Sequence, residues 1–338
     1  MNKPQTQSFV LDPNLFSVSE GYLRLLDRRH NGGAQDFAAS GFKTLDRKFP
    51  GLLHDGHLII VGGRPGSGKS IFCQQVAEAV AVDKTVIFAT YEMSKLEIAE
   101  RSIARRSGIS LSRLRVADDL KQSDFGAIID ALAGCATFLR VADDGLSIND
   151  LVERAARYPE ELAALDLPPL GLVVVDYLQL IPIDDRRGTT NRALAVGEVS
   201  RSLKRLAQSL QVPVLAAAQI NRETESRPDK RPHLGDLRES GSIEQDADLV
   251  VFLYRDELYN ENSADRGMAE VLVRKNRHGA TGMVKLGFSG ERLAFSDLPA
   301  RVPFNIVNRP VIAMDAKPVL EKATNDNKGA GGDREVWY

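Results

Sequence analysis

The chain alternates short apolar runs with longer stretches in which apolar residues recur every three or four positions. The runs are Leu58–Val61, Val86–Thr90, Thr137–Val141, Leu172–Val175, Val214–Ala218 and Leu249–Tyr254. Each has the length of a strand. Between them the spacing predicts helices over Ser94–Arg106, Ser123–Ala133, Ser147–Arg157 and Asn191–Gln211. The last places Val196, Val199, Leu203, Leu206 and Leu210 on one stripe. Strands alternating with helices predict an α/β fold, with a mainly parallel central sheet covered by helices on both faces. Past Arg266 the pattern changes. Glu270–Arg274, Thr281–Phe288 and Arg292–Phe295 read as a short antiparallel extension with Gly-containing turns.

The flanks differ from this body. Residues 1–16 have no period and contain Pro4 and Pro13, which predicts a mobile arm. Ser17–Arg29 predicts a short helix, with Ser17 and Glu20 as a capping box and Tyr22, Leu25 and Leu26 as its apolar stripe. A helix of that length is marginal alone, so it is expected to dock on its own core or on a neighbouring subunit. His30–Ser40 reads as a flexible linker, the main domain as residues 41–298, and residues 299–338 as a disordered tail.

Composition narrows the picture a little. The 338 residues are 43% hydrophobic and 27% charged, enough core for one large domain or two smaller ones. Formal net charge is −2, so a nucleic-acid partner would have to be met by a local basic lining. Cys73 and Cys135 provide neither a disulfide framework nor a metal-ligand cluster, and Cys73 reads as a small core residue. No run of about 18 apolar residues suggests a membrane span. The N-terminus has no apolar signal core, and a cytosolic protein is expected.

The chemistry starts at the first strand. Gly63, Arg64, Pro65, Gly66, Ser67, Gly68, Lys69 and Ser70 fit G-x-x-x-x-G-K-[ST], with a strand before and a helix after. Glycines let the backbone bring N–H groups close to a polyphosphate, and the helix N-terminus adds partial positive charge. Lys69 can reach the β/γ-phosphates, and Ser70 can take one position on Mg2+. Asp176 ends a buried strand and suits the Mg2+ shell, although a strand-end carboxylate can also cap a turn. Glu92 follows the next strand and suits a general base that polarises the attacking water, or a solvated Glu opening a helix. Gln219 at another strand tip is a γ-phosphate sensor or a surface amide. Lys275 and Arg277, two residues apart, point to one side of a strand. They suit phosphates of a neighbouring subunit, or a basic edge that resists aggregation; spacing alone favours the latter. Asp236–Glu244, with Arg238, Glu239 and Gly241, suits a loop tracking the backbone of single-stranded nucleic acid, or a solvated loop.

Several of these segments together resemble the C-terminal motor domain of DnaB-type replicative helicases, from about Gly41 to about Pro299. The similar segments are GRPGSGKS, YEMS, VVVDYLQLI, EVSRSLKRLA, AQINRETESRPDKRPHLGDLRESGSIEQDADLVVFLYRDELY and RKNRHGATG. The resemblance implies a RecA-like fold and an ATP- and Mg2+-dependent ring helicase, a hexamer moving 5′ to 3′ on single-stranded DNA. It assigns Lys69 and Ser70 to nucleotide and Mg2+, Glu92 to catalysis, Asp176 to Mg2+ and Gln219 to sensing. Lys275 and Arg277 reach the next subunit's ATP site, and Arg238, Glu239 and Gly241 lie on the DNA loop. The Ser17–Arg29 helix matches the family's linker helix. The family's N-terminal collar, which meets primase, has no counterpart in residues 1–40, so primase contact and a collar-stabilised ring stand in doubt. A helicase loader is a further possible partner. Two positions depart from the family: Ala218 replaces Ser and His278 replaces Asn. Rival readings are a RecA-like ATPase that binds DNA or protein without unwinding, and an ATP-dependent assembly or adaptor module.

Overall fold

The structure is a computed structural model that describes residues 37–182 and 192–299, together with Leu26 and His30. The expected arm 1–16, most of the Ser17–Arg29 helix, the linker before residue 37 and the tail after Pro299 lie outside these residues. The linker reading needs correction at its end. Phe37–Ala38 (β1) pairs antiparallel with Leu53–His54 (β2) around the short helix Lys43–Lys48 (α1). Ala38 packs on the core and Ser40 is buried, so the apolar Phe37-Ala38 pair draws the chain into the fold after the Gly-rich stretch.

The main sheet is built from Leu58–Gly63 (β3), Thr85–Thr90 (β4), Leu139–Ala142 (β5), Leu170–Asp176 (β6), Val214–Gln219 (β7) and Leu249–Tyr254 (β8). Met268–Asn276 (β9), Gly282–Ser289 (β10) and Ala294–Asp297 (β11) extend it. The order is β11-β10-β9-β8-β3-β7-β6-β4-β5. The six strands from β8 to β5 run parallel, and β9 to β11 are antiparallel. The helices are Lys69–Val80 (α2), Lys95–Ser107 (α3), Leu111–Arg115 (α4), Gln122–Ala133 (α5), Ile148–Ala164 (α6), Arg192–Leu210 (α7) and Gly241–Asp246 (α8).

Alternation along the buried strands makes two cores. Ile59 and Val61 of β3, with Leu172, Val174, Leu215 and Ala217, pack against Phe72, Cys73 and Val76 of α2. Leu58 and Ile60, with Val173, Val175, Val214 and Ala216, pack against Leu151 and Ala155 of α6 and Val199, Leu203 and Leu206 of α7. Cys73 is a buried core residue, as its place in the helix suggested.

Several further boundaries differ from the sequence reading, and two of them have a visible cause. The helix expected to stop at Arg157 continues through Pro159 to Ala164. An interior proline costs about 3 kcal/mol, and burial of Leu162 beyond it offsets part of that cost. The last strand begins at Ala294, because Leu293 takes a positive φ of 49° in the preceding turn.

A buried polar network joins α2 to α3. Gln74 Nε2 donates to Ile98 O at 2.8 Å and to Ser102 Oγ at 2.9 Å, and Glu78 is paired with Arg105. Burial alone would raise the Glu78 carboxyl. The Arg105 guanidinium and hydrogen bonds from Arg105, Ser102 and Gln74 more than offset this and hold its pKa below the usual glutamate value. A depressed carboxylate stabilises the fold above its unfolded pKa, and that stability is lost as pH falls through the folded value. Glu78→Gln is therefore expected to lose about 3 kcal/mol at neutral pH, since it strips the partner from a buried guanidinium. The difference from the parent should shrink below about pH 4, read by denaturant unfolding at both pH values.

Candidate active site

β3 ends in Gly62 and Gly63, and the chain turns through Arg64–Gly68 into α2. Gly68 is the N-cap of α2 with φ +97°, and a Cβ there would lie 2.7 Å from the Phe295 ring. Both backbone and space therefore require glycine. The first N–H groups of α2 face the loop with no partner of their own in the helix. Lys69 Nζ donates to Gly63 O at 2.9 Å and to Arg64 O at 3.1 Å. Burial pulls the Lys69 pKa below the ordinary lysine value, and Asp176 and Glu92 oppose that shift. The Arg64 side chain turns away from the loop. Its Nε pairs with Glu225 Oε1 at 2.7 Å and its Nη1 donates to Ile220 O at 3.1 Å.

Asp176, the last residue of β6, is completely buried, and neither carboxylate oxygen has a hydrogen-bond partner of normal geometry. Burial raises its pKa above the usual aspartate value, against the Ser70 hydroxyl, Lys69 and Arg101, which favour the charged form. Orphaned carboxylate oxygens beside a hydroxyl make an oxygen-only donor set. That set fits Mg2+, which binds through one or two protein groups plus phosphates. Glu92, exposed two residues beyond β4, and Gln219, the last residue of β7, line the same cavity as Lys69 and Ser70. Its volume is about 390 Å3. All of these groups stand at the C-terminal edge of the parallel strands, where open α/β sheets bind their ligands.

Sequence reasoning missed Arg101, Arg255 and Phe288, which also line this cavity. Arg101 Nε is buried without a hydrogen-bond partner, and burial lowers the pKa of its guanidinium against the pull of Asp176, Glu97 and Glu92. Arg255 Nη1 donates to Gly66 O at 2.9 Å, and its guanidinium lies 3.7 Å from the Phe288 ring centroid. The stacked pair forms one flat wall of the cavity. No motif spacing marks these residues. Arg101 carried one signal, a cation nine positions after Glu92 on a capped helix.

The structure does not bring Lys275 and Arg277 to this cavity. β9 is antiparallel to β8, and its end pairs Leu249 with Asn276. Arg277 N donates to Asp248 O at 2.9 Å, and Asp248 N donates to Leu58 O at 2.9 Å. The two cations thus lie at the N-terminal end of β3, while the glycine loop lies at its C-terminal end. Lys275 Nζ donates to Glu244 O at 2.5 Å and Arg277 Nη2 donates to Gln245 O, so both side chains turn toward α8. His278, in the turn that follows, stacks on His57 with centroids 4.6 Å apart.

The Asp236–Glu244 loop reading is corrected in its conformation. Leu234–Ser240, with Arg238 and Glu239, is a 3-10 stretch, and Gly241 opens α8. Among the described residues, no cluster of three His, Cys, Asp or Glu suits a metal. Within the same residues, no helix is long and apolar enough to cross a membrane.

A family model described as the DnaB-like helicase C terminal domain matches residues 38–297. The chain belongs to this family. It is 41% identical over 281 residues to the replicative DNA helicase DnaB of Pasteurella multocida, covering 82% of this chain and 58% of that protein. It is 38% identical over 266 residues to DnaB of Geobacillus stearothermophilus, covering 78% and 57%. The chain therefore spans about three fifths of the length of such curated relatives. Among solved structures, one described as an ATPase domain superposes with a TM-score of 0.73 at 30% identity, covering 83% of this chain and 99% of that one. A structure of a DnaB-like replicative helicase and its interactions with primase gives a TM-score of 0.73 at 31% identity, covering 83% and 67%. The fold is RecA-like.

The flat Arg255–Phe288 wall implies a measurable contribution to nucleotide affinity. Phe288→Ala is expected to weaken binding of a fluorescent ADP analogue by roughly fivefold, the value of one lost aromatic or cation–π contact. Titration followed by anisotropy checks this; unchanged affinity would remove the wall from the site.

Proposed function

We propose that this chain is the motor of an ATP-driven, ring-forming DNA helicase or translocase of the DnaB type. It acts in DNA replication and moves 5′ to 3′ on single-stranded DNA, in the cytoplasm. One observation carries the reading. The cradle with Lys69, Ser70, Glu92, Asp176 and Gln219 is complete at one end of the sheet, while Lys275 and Arg277 stand at the other. Such a chain completes its site by placing its cations against the next copy's cradle, a head-to-tail contact that closes into a ring. The family membership supports a hexamer.

Ser70 and Asp176 are the residues that would hold Mg2+, which would supply positive charge to offset that of the polyphosphate. The loop N–H groups and Lys69 hold the polyphosphate. Glu92, exposed to the cavity, orients the attacking water and accepts its proton. Gln219 reads the γ-phosphate from the β7 tip. Lys275 and Arg277 of the adjacent copy stabilise charge on the transferred group, a role worth roughly 10³–10⁵ in rate. Arg238, Glu239 and Gly241 track the DNA backbone. Residues 37–298 form the motor, flanked by residues 1–36 and 299–338. A helicase loader is a further candidate partner.

Mixing two inactive chains tests the shared site. Lys69→Ala chains lack a cradle and Arg277→Ala chains lack the donated cation. Random assortment at equal ratio leaves roughly a quarter of head-to-tail seams intact, so ATP turnover should partly return. Absence of recovery at every ratio, with mixed rings demonstrated by mass, would contradict a site shared between chains.

A further inference from the structure

β6 and β7 separate before they reach the site. Their pairing ends at Val175 opposite Ala216, whereas β3 accompanies β7 as far as Gly63 opposite Gln219. On its β6 side the main chain of Gln219 therefore has no strand to bond. The side chain of Gln179, three residues beyond Asp176, takes that place. Its Nε2 donates to Gln219 O at 2.9 Å, and its Oε1 accepts from Gln219 N at 3.1 Å. A primary amide carries the same donor and acceptor pair as a backbone peptide, so it extends the ladder by one rung. Glutamate and methionine have the length but not the pair.

The neighbouring residues are held in the same manner from other directions. Arg64 of the glycine loop donates to Ile220 O at 3.1 Å, and Asn221 N donates to Asp236 O at 3.1 Å. Gln219 to Asn221 is thus tied to the glycine loop, to the Asp176 strand and to the segment that leads into Arg238. Gln179 and Gln219 also share the wall of a second cavity of about 590 Å3, so the clamp is not sealed within a core.

We infer that Gln179 is a positioning residue for the Gln219 sensor. Its amide fixes the main chain from which the sensor side chain projects, and it couples that main chain to the strand carrying Asp176. The effect on turnover rests on the helicase reading above; the clamp itself does not.

The test compares the full chain with Gln179→Met, which keeps length without an amide, and Gln179→Glu, which keeps an acceptor and loses the donor. Amide hydrogen exchange at Gln219, read by NMR or overlapping peptides, should accelerate in Gln179→Met, which removes the acceptor of Gln219 N–H, and stay protected in Gln179→Glu, which keeps it, whether or not the protein turns over ATP. DNA-stimulated kcat should fall by roughly tenfold or more, as expected for a misplaced group, while the nucleotide KM stays within about twofold. The ratio of single-stranded DNA affinities with ATPγS and with ADP should move toward one. A merely structural role would not split kcat from KM in this way. Unchanged exchange at Gln219 in the variant without the acceptor would overturn the clamp. Accelerated exchange with parental kcat and affinity ratio would overturn the positioning role. If Gln179→Met does not fold, Gln179→Ala carries the exchange readout and Gln179→Glu the kinetic ones. A parental chain without turnover would contradict the helicase reading and leave the exchange result to decide the clamp.

Discussion

A buried six-residue strand, β3, keeps the nucleotide cradle and the Lys275–Arg277 pair at opposite ends of one rigid sheet. At about 3.3 Å per residue it spans roughly 20 Å, and it is hydrogen-bonded on both sides, to β7 and to β8. Arg277 therefore cannot swing into the Lys69 cavity of its own chain without dismantling the core. The far end is pinned as firmly as the near end. Asp248 is buried, accepts from Leu58 N at 2.8 Å and pairs with Lys204 at 2.6 Å and with Arg277 at 3.4 Å. His54, His57 and His278 form a continuous ring stack beside it. The turn that carries Arg277 is thus part of the sheet's foundation, which suits the role proposed for it.

The near end is built for a different purpose. Lys69 and Asp176 are both withdrawn from water, and burial pushes each toward its neutral form. A polyphosphate beside Lys69 and a divalent cation beside Asp176 would each favour the charged form. The site would gain most from the two arriving together, with its dipoles already oriented. The link between the ends runs through short contacts. Lys275 and Arg277 bond carbonyls of α8, and α8 continues directly from the stretch containing Arg238 and Glu239. The segment proposed to follow DNA and the cations proposed to act on a neighbour are therefore one mechanical piece.

Much of this was legible because it depends on local chain physics. The β3–loop–α2 unit needs a buried strand, positive-φ glycines and a lysine at one spacing, and those constraints are written in consecutive residues. The antiparallel end was visible from the change of pattern after Arg266 and from its Gly-containing turns. Long-range pairings were not. Arg255 and Phe288 meet across 33 positions, and only the sheet order β10-β9-β8 brings them to one cavity. Arg101 depends on the Glu78–Arg105 network that fixes α3 against α2. Gln179 sits inside a recognisable segment, yet its task arises from the point at which two strands diverge, which no local pattern encodes. The continuation of α6 past Pro159 shows tertiary burial of Leu162 overriding a local breaker.

The most direct measurement is ATP turnover per chain as the protein is diluted, with particle mass recorded on the same samples. Turnover per chain should rise steeply as rings assemble and fall to near zero where only monomers remain. A constant rate per chain, carried down to particles of single-chain mass, would contradict the account.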